Sequence, residues 1–267
     1  MTKSSGIASI TQAEKKRIRS LHTRKGRKSE RQFIAEGVRL LEESLHHNWL
    51  PDKVYWSDAL LADRGKALLK KFEAARVTNE KISVRDLKGI SETETSQGIL
   101  GLFNIPRLNL NTALANSPGI LILDNISDPG NVGTLFRSAL AFGIKTILLT
   151  NNSADPYNSK AVRASAGAIF GLMAMTATID EIFRLKDCKS HKLIVADIRG
   201  DDLNLKRNEM RKPSQYMLVL GSEAMGPSAD ILSAADVRLM IAHSGDVESL
   251  NVAVAGSIIM MELYNMR

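Results

Sequence analysis

A single cysteine, Cys188, stands in this chain of 267 residues. No internal disulfide can form, and nothing near Cys188 has the spacing of a metal site or a thiol-redox pair, which favours a reducing, cytoplasmic compartment. No stretch approaches the roughly 18 consecutive apolar residues that span a bilayer. The N-terminus is polar and basic, without the apolar core of a signal peptide, so no membrane partner is expected. Gly-x-Gly occurs nowhere, and Gly65-Lys66 is followed by Ala67. Nucleotide-dependent oxidoreductases and P-loop NTPases are thereby left without their phosphate loop. The histidines His22, His46, His47, His191 and His243 show no ligand spacing, and no metal is predicted.

What is present begins with charge. Lys and Arg number 36 against 29 Asp and Glu, a net +7. Residues 1–32 alone hold ten basic side chains (Lys3, Lys15, Lys16, Arg17, Arg19, Arg24, Lys25, Arg27, Lys28, Arg31) against Glu14 and Glu30, so the rest of the chain is nearly neutral. A basic arm of this kind suits a phosphate backbone through counterion release and long-range attraction. It reads equally well as a solvated tail that aids solubility.

The length suits two compact domains. Residues 1–30 form the basic arm, with a short helix over Thr11 to Leu21 and the RKGRKSER run as a flexible loop. Over 31–104, FIAEG, KVYWS, KISV and QGILGLFN have strand character, while VRLLEESLHHN and LADRGKALLKKFEAA carry helical spacing; this is a small mixed α/β domain. Pro, Asn and Ser gather over 105–118 without a sustained period and mark a linker. From 119 to 267, the apolar runs GILILDNI, KTILLTN, KLIVADI and YMLVLGSE alternate with helical patterns such as VGTLFRSALAFG and SKAVRASAGAIF. That alternation predicts a parallel sheet covered on both faces. The last segment, SLNVAVAGSIIMMELYNM, is apolar around most of its circumference and is expected as a buried terminal helix. Met173 and Met175 most simply fill core gaps.

In an open parallel sheet, ligands bind beyond the carboxyl ends of the strands, which directs attention to three loops. The first runs Asp124 to Gly143, DNISDPGNVGTLFRSALAFG, from a strand through Asp-Pro-Gly-Asn into a helix bearing Arg137. The second, Leu218 to Ser228, is LVLGSEAMGPS, with Gly221 and Gly226 flanking Glu223. The third, Met240 to Ser257, is MIAHSGDVESLNVAVAGS, with Ser249 and Asn251 at the start of an apolar helix. Taken singly, each has a plain reading as turn, helix cap or surface charge.

Together and in this order, they resemble the three signature motifs of the SpoU family of 2′-O-ribose RNA methyltransferases, in its TrmH-like branch. The first motif is carried by Asn131, Gly133, Arg137 and the AFG ending, the second by LGSE and GPS, the third by ESLNVAVA. RQFIAEGVRLLEESL and SETETSQGILGLF are similar to the ribosomal-protein-like RNA-binding domain that precedes the catalytic one in many members. The third motif usually reads Ile-Pro-Met; here Ile241 is followed by Ala242 and His243.

The resemblance implies a C-terminal trefoil knot, S-adenosylmethionine as cofactor, RNA as partner with rRNA favoured over tRNA, and a homodimer. It places the donor against Gly221, Ile241 and Leu250, and the catalytic centre at Asn131, Arg137, Glu223, Ser249 and Asn251. Methylating a ribose hydroxyl needs an oxygen aligned in line with the methyl and a route for its proton. Arg137, with a pKa above about 12, is a poor base and better suited to binding a phosphate or polarising the 2′ oxygen. Asn131 can orient Arg137 or the ribose. Glu223 is a candidate proton acceptor or Arg partner, and Ser249 and Asn251 can contact substrate or hold the loop. Ile258, Met261 and Leu263 of the terminal helix either supply a dimer interface or fill the chain's own core. A silent RNA-binding scaffold of the same fold is the alternative, against which the intact polar set argues.

Overall fold

A computed structural model of the chain describes residues 10–108, 110, 117, 119–189, 191–204 and 215–266. Lys3 of the basic arm and residues 109, 111–116 and 118 of the expected linker lie outside them. In chain order the elements are α1 (Gln12–Ser20), α2 (Arg24–Glu30), β1 (Gln32–Glu36), α3 (Val38–His46), β2 (Lys53–Trp56), α4 (Asp63–Ala74), β3 (Thr78–Lys81), α5 (Val84–Ile90) and β4 (Ile99–Asn104). There follow β5 (Gly119–Asp124), α6 (Pro129–Ala141), β6 (Thr146–Leu149), α7 (Ser159–Ala164), a 3-10 turn (Ala168–Gly171), β7 (Met173–Thr176), α8 (Ile179–Lys189), β8 (Lys192–Asp202), β9 (Tyr216–Gly221), α9 (Ala229–Ser233), β10 (Val237–Met240) and α10 (Val252–Asn265). No helix among the described residues is long and apolar enough to cross a membrane.

The chain divides into two units: one runs to Pro106 and takes in Tyr157–Phe170, the other comprises Arg107–Pro156 and Gly171–Arg267. The first is built on a four-stranded sheet in the order β1-β4-β2-β3, antiparallel but for the β2–β3 pair. Its core joins Ile18 and Leu21 to Ile34, Tyr55, Leu87, Leu100 and Leu102. A second cluster is aromatic: Phe33 packs against Trp49, Phe103, Tyr157 and Phe170. The segment after β6, which reads in sequence as one more helix over the parallel sheet, thus contributes Tyr157 and Phe170 to the first unit's core.

The flexible loop expected over RKGRKSER is instead helix α2. Thr23 caps it by accepting from the Gly26 N–H at 3.0 Å, and Arg31 ends it at φ 52°. Gly26 needs to be a glycine, because a Cβ there would stand 1.9 Å from the Ser20 carbonyl oxygen. Arg27 is buried and donates to the Leu21 carbonyl at 2.7 Å. Side-chain anchoring that reaches across the α1–α2 turn overrides the local signal of a charged, Gly-containing run. KISV likewise ends a strand rather than forming one: β3 stops at Lys81, and Ser83 caps α5.

The second unit carries a six-stranded, all-parallel sheet in the order β10-β8-β9-β5-β6-β7. Its central strands β5 and β9 are buried along their whole length, as strands covered on both faces must be. Ile120, Ile122, Leu193, Met217 and Val219 form one side of the core with Ile182, Leu185 and Ile231 from the helices. Met173 and Met175 lie on β7, a strand too polar at its end to read from periodicity alone. The terminal helix α10 buries Val252, Ala253, Gly256, Ile259, Met260 and Leu263 but leaves Val254, Met261 and Tyr264 exposed, so it is buried on one face only.

Candidate functional site

The paired strands β5 and β9 end at register partners, Asp124 and Gly221. Asp124 is fully buried, and its carboxylate is shared between two loops. Oδ1 accepts from Thr150 Oγ1 and Asn125 Nδ2, each at 3.1 Å, while Oδ2 accepts from the Ser228 backbone N–H at 2.7 Å. The end of β5 therefore ties down the far side of the loop that follows β9. That loop doubles back on itself: Ser222 bridges Gly226, whose N–H donates to the Ser222 carbonyl at 2.8 Å. A Cβ on Gly221 would stand 2.0 Å from the Pro227 nitrogen, and Gly226 has φ +68°. Position 221 has no room for a side chain, and the left-handed backbone at 226 favours glycine.

Against this loop opens a cavity of about 490 Å³, inside the roughly 300–1,000 Å³ typical of small-molecule sites. Its wall has four sources: the Gly221–Pro227 reversal, the segment that leaves β10 through Ile241 and returns at Glu248, Ser249 and Leu250, Ala196–Arg199 of β8, and Val252, Ala255 and Ile259 of α10. Gly221, Ile241 and Leu250, the expected donor contacts, all line it, as do Glu223 and Ser249. His243, where the usual motif differs, is also on the wall, and its Nδ1 accepts the Gly245 N–H at 3.3 Å. Among the described residues no group of His, Cys, Asp and Glu is arranged to hold a metal.

Glu223 connects the cavity to a hydrogen-bonded cluster drawn from all three motifs. Its Oε1 accepts from Asn131 Nδ2 at 3.2 Å, Asn251 Nδ2 at 2.7 Å and the Val252 N–H at 3.3 Å. Asn251 Nδ2 also reaches Asn131 Oδ1 at 3.1 Å. Each asparagine is placed by a helix start. Asn131 sits in the first turn of α6, behind the Asp128 cap and Pro129. Asn251 caps α10, its Oδ1 accepting from Ala253 N at 2.9 Å and Val254 N at 3.4 Å. A Cβ on Gly256 would meet Leu220 Cδ1 at 2.4 Å and Leu135 Cδ2 at 2.6 Å. Glycine there lets α10 lie directly on β9 and α6, which brings the two helix starts together.

Arg137 is not brought into this cluster. It is exposed on α6, does not line the cavity, and has no hydrogen bond or ion pair to the described residues. Two acids were missed in the sequence. Asp124 opens the first motif yet reads as an ordinary turn residue, and Asp197 follows the apolar run Leu193 to Ala196 within β8; an acid directly after a run of apolar strand residues is the signal that could have found both.

The chain was compared with known proteins. Residues 118–261 match the model of the SpoU rRNA Methylase family, and residues 13–101 match the MRM3-like substrate binding domain. The second match takes in most of α1 and all of α2. A 23S rRNA (guanosine(2553)-2′-O)-methyltransferase of Bacillus subtilis is 26% identical over 257 residues, 96% of this chain and 98% of that protein. Mouse mitochondrial rRNA methyltransferase 3 is 26% identical over 290 residues, 88% of this chain and 68% of that protein. Among solved structures, the AdoMet-bound rRNA methyltransferase of Sinorhizobium meliloti superposes with a TM-score of 0.84 at 24% identity over 97% of each chain, a likeness of fold.

Proposed function

Because this chain belongs to the SpoU rRNA methylase family, we propose that it transfers a methyl group from S-adenosylmethionine to the 2′-hydroxyl of a ribose in RNA, with ribosomal RNA as the substrate. The observation that carries this reading is the junction of the 490 Å³ cavity with the Asn131–Glu223–Asn251 cluster. One provides room for a small molecule, the other a polar surface beside it for a second substrate.

The residues present fit the donor. Gly221 keeps the wall free of a side chain where the backbone turns, and Ile241 and Leu250 offer apolar surface and backbone groups to an adenosine. Bound there, S-adenosylmethionine supplies an electrophilic methyl on a sulfonium. Glu223 works as a clamp: three donors converge on Oε1, so its part is to hold Asn131 and Asn251 in one geometry. Ser249, on the cavity wall, is placed to contact the acceptor ribose. Arg137 is the residue we assign to the RNA, binding a phosphate or polarising the 2′ oxygen; its exposure leaves the guanidinium available.

The same reading takes the second unit to be knotted and the chain to act as a homodimer in the cytoplasm. The strand order β10-β8-β9-β5, in which the last strand pairs with β8 rather than β9, supports the knot. Exposed Val254, Met261 and Tyr264 on α10, the helix packed against α6, support a centre completed by a second copy. Residues 31–104, with α1 and α2 before them, then serve as the RNA-binding domain.

Isothermal titration tests the donor assignment. S-adenosylhomocysteine should bind in the micromolar range while NAD and ATP do not, and tritium from labelled donor should appear on ribose 2′ oxygens of ribosomal RNA. Absence of S-adenosylhomocysteine binding would sink the reading.

A further inference from the structure

β8 leaves its ladder with β10 in one place: Arg238 pairs with Val195, yet the next residue, Leu239, pairs with Asp201. Ala196–Gly200 are looped out between those pairs, and Ala196–Arg199 form part of the cavity wall. Within this bulge the Asp197 side chain is only 3% exposed. Its Oδ1 accepts from the Arg199 backbone N–H at 3.1 Å and from Arg199 Nε at 3.3 Å. Oδ2 is buried and has no hydrogen-bond partner among the described residues; Arg238 Nη1 pairs with it only at 4.0 Å, beyond hydrogen-bond reach.

A buried carboxylate oxygen left unmet is costly, and such groups call for a partner from outside the chain. Bulges beside ligand sites commonly serve to re-aim a side chain. In the wall of a small-molecule cavity, the missing partner is a hydrogen-bond donor of the ligand. S-adenosylmethionine carries three kinds of donor group, the α-ammonium, the adenine 6-amino group and the ribose hydroxyls, and toward a carboxylate a hydroxyl forms a shorter hydrogen bond than a neutral N–H does. The ammonium would be brought against two guanidiniums, those of Arg199 and Arg238, whereas hydroxyls are neutral. A carboxylate at a strand end is also a proven acceptor for ribose hydroxyls in nucleotide-binding sheets.

We infer that Asp197 is the acceptor for the ribose hydroxyls of the donor's adenosine. This rests on the methyl-donor reading of the same cavity.

The test is isothermal titration of wild type, D197N and D197A with S-adenosylhomocysteine, with 5′-methylthioadenosine, which lacks the amino-acid end, and with 2′,3′-dideoxy-5′-methylthioadenosine. D197A should lose roughly ten- to a hundredfold in affinity for the first two by equal factors, the worth of a hydrogen bond to a charged group. The dideoxy compound should bind wild type and D197A equally weakly. In the absence of ligand, D197N should melt close to the wild-type temperature, because asparagine keeps the Oδ1 acceptor for the Arg199 N–H and the ion pairs it gives up are to solvent-exposed guanidiniums. Three results overturn the inference while leaving the donor reading intact: D197A binding S-adenosylhomocysteine as wild type does, loss of that affinity with 5′-methylthioadenosine unaffected, or D197N melting well below wild type without ligand, which assigns the carboxylate to the fold. If wild type itself binds no S-adenosylhomocysteine, inference and donor reading fall together.

Discussion

At the scale of single residues, the three motifs divide into side chains bonded to one another and the exposed Arg137. Glu223, Asn131 and Asn251 satisfy one another, and Asp124 uses both its oxygens on loops. Arg137 has no such engagement among the described residues, so its removal disturbs little in the resting protein. Arg137→Ala is therefore expected to lower methyl transfer by about a hundredfold or more, the scale of removing a preorganised charge-stabilising group. Affinity for S-adenosylhomocysteine should stay within about twofold of wild type. Single-turnover transfer rates and titration on the same preparation check this; retained transfer refutes the assignment of Arg137. Asn131, Arg137, Glu223 and Asn251 were legible in the sequence as members of the three motifs, whereas Asp124 read as a turn residue. Their division of labour was not legible, because it depends on which side chains meet across 92 and 120 positions of chain.

At the scale of elements, α1 and α2 turn an apparent arm into part of a core. Ile18 and Leu21 are buried with Ile34 and Tyr55, and several of the cations serve the fold. Lys15 pairs with Asp86 at 2.6 Å, Arg17 donates to Gln32 Oε1 at 2.6 Å, Arg19 donates to the Gly89 carbonyl at 2.6 Å, and Arg27 is buried. Lys16, Lys25 and Lys28 remain exposed without a partner among the described residues. On the proposed reading, RNA binding by this surface belongs to the second group. Lys25→Ala with Lys28→Ala should weaken RNA binding and flatten the slope of log affinity against log salt by about 0.7–0.9 for each phosphate no longer neutralised. Thermal stability should be unchanged. Arg27→Ala should instead destabilise by about 1–3 kcal/mol through loss of a buried charged hydrogen bond. Filter binding at several salt concentrations, paired with melting curves, separates the two; an unchanged slope in the double variant would show that RNA does not bind this surface. Charge counting in the sequence located the surface but could not say which lysines were free.

At the scale of the whole molecule, the terminal helix has two faces with different work. Gly256, Ile259, Met260 and Leu263 hold it to its own unit, while Val254, Met261 and Tyr264 are open to solvent. Of the three residues offered by sequence for an interface, Leu263 belongs to the core and Met261 to the surface. Met261→Glu should leave the fold intact, because the charge enters no core, and should convert a dimer to a monomer in sedimentation velocity with a parallel fall in transfer. A variant that still sediments as the wild type does, with full activity, argues against a shared centre.

The sequence by itself determined the α/β class, the alternation that builds a parallel sheet, the family, and the three loops whose residues meet at Glu223. These are written in short-range patterns: apolar periodicity, turn residues and ordered motifs, all read within a few residues. Only the tertiary structure decided that residues 24–30 form a helix, that α10 keeps an open apolar face, and that Asp124 binds two loops. It also decided that Asp197 keeps an oxygen without a hydrogen-bond partner among the described residues. Each of these depends on packing between distant parts of the chain and on burial, and a buried polar group takes its meaning from what it meets or fails to meet there.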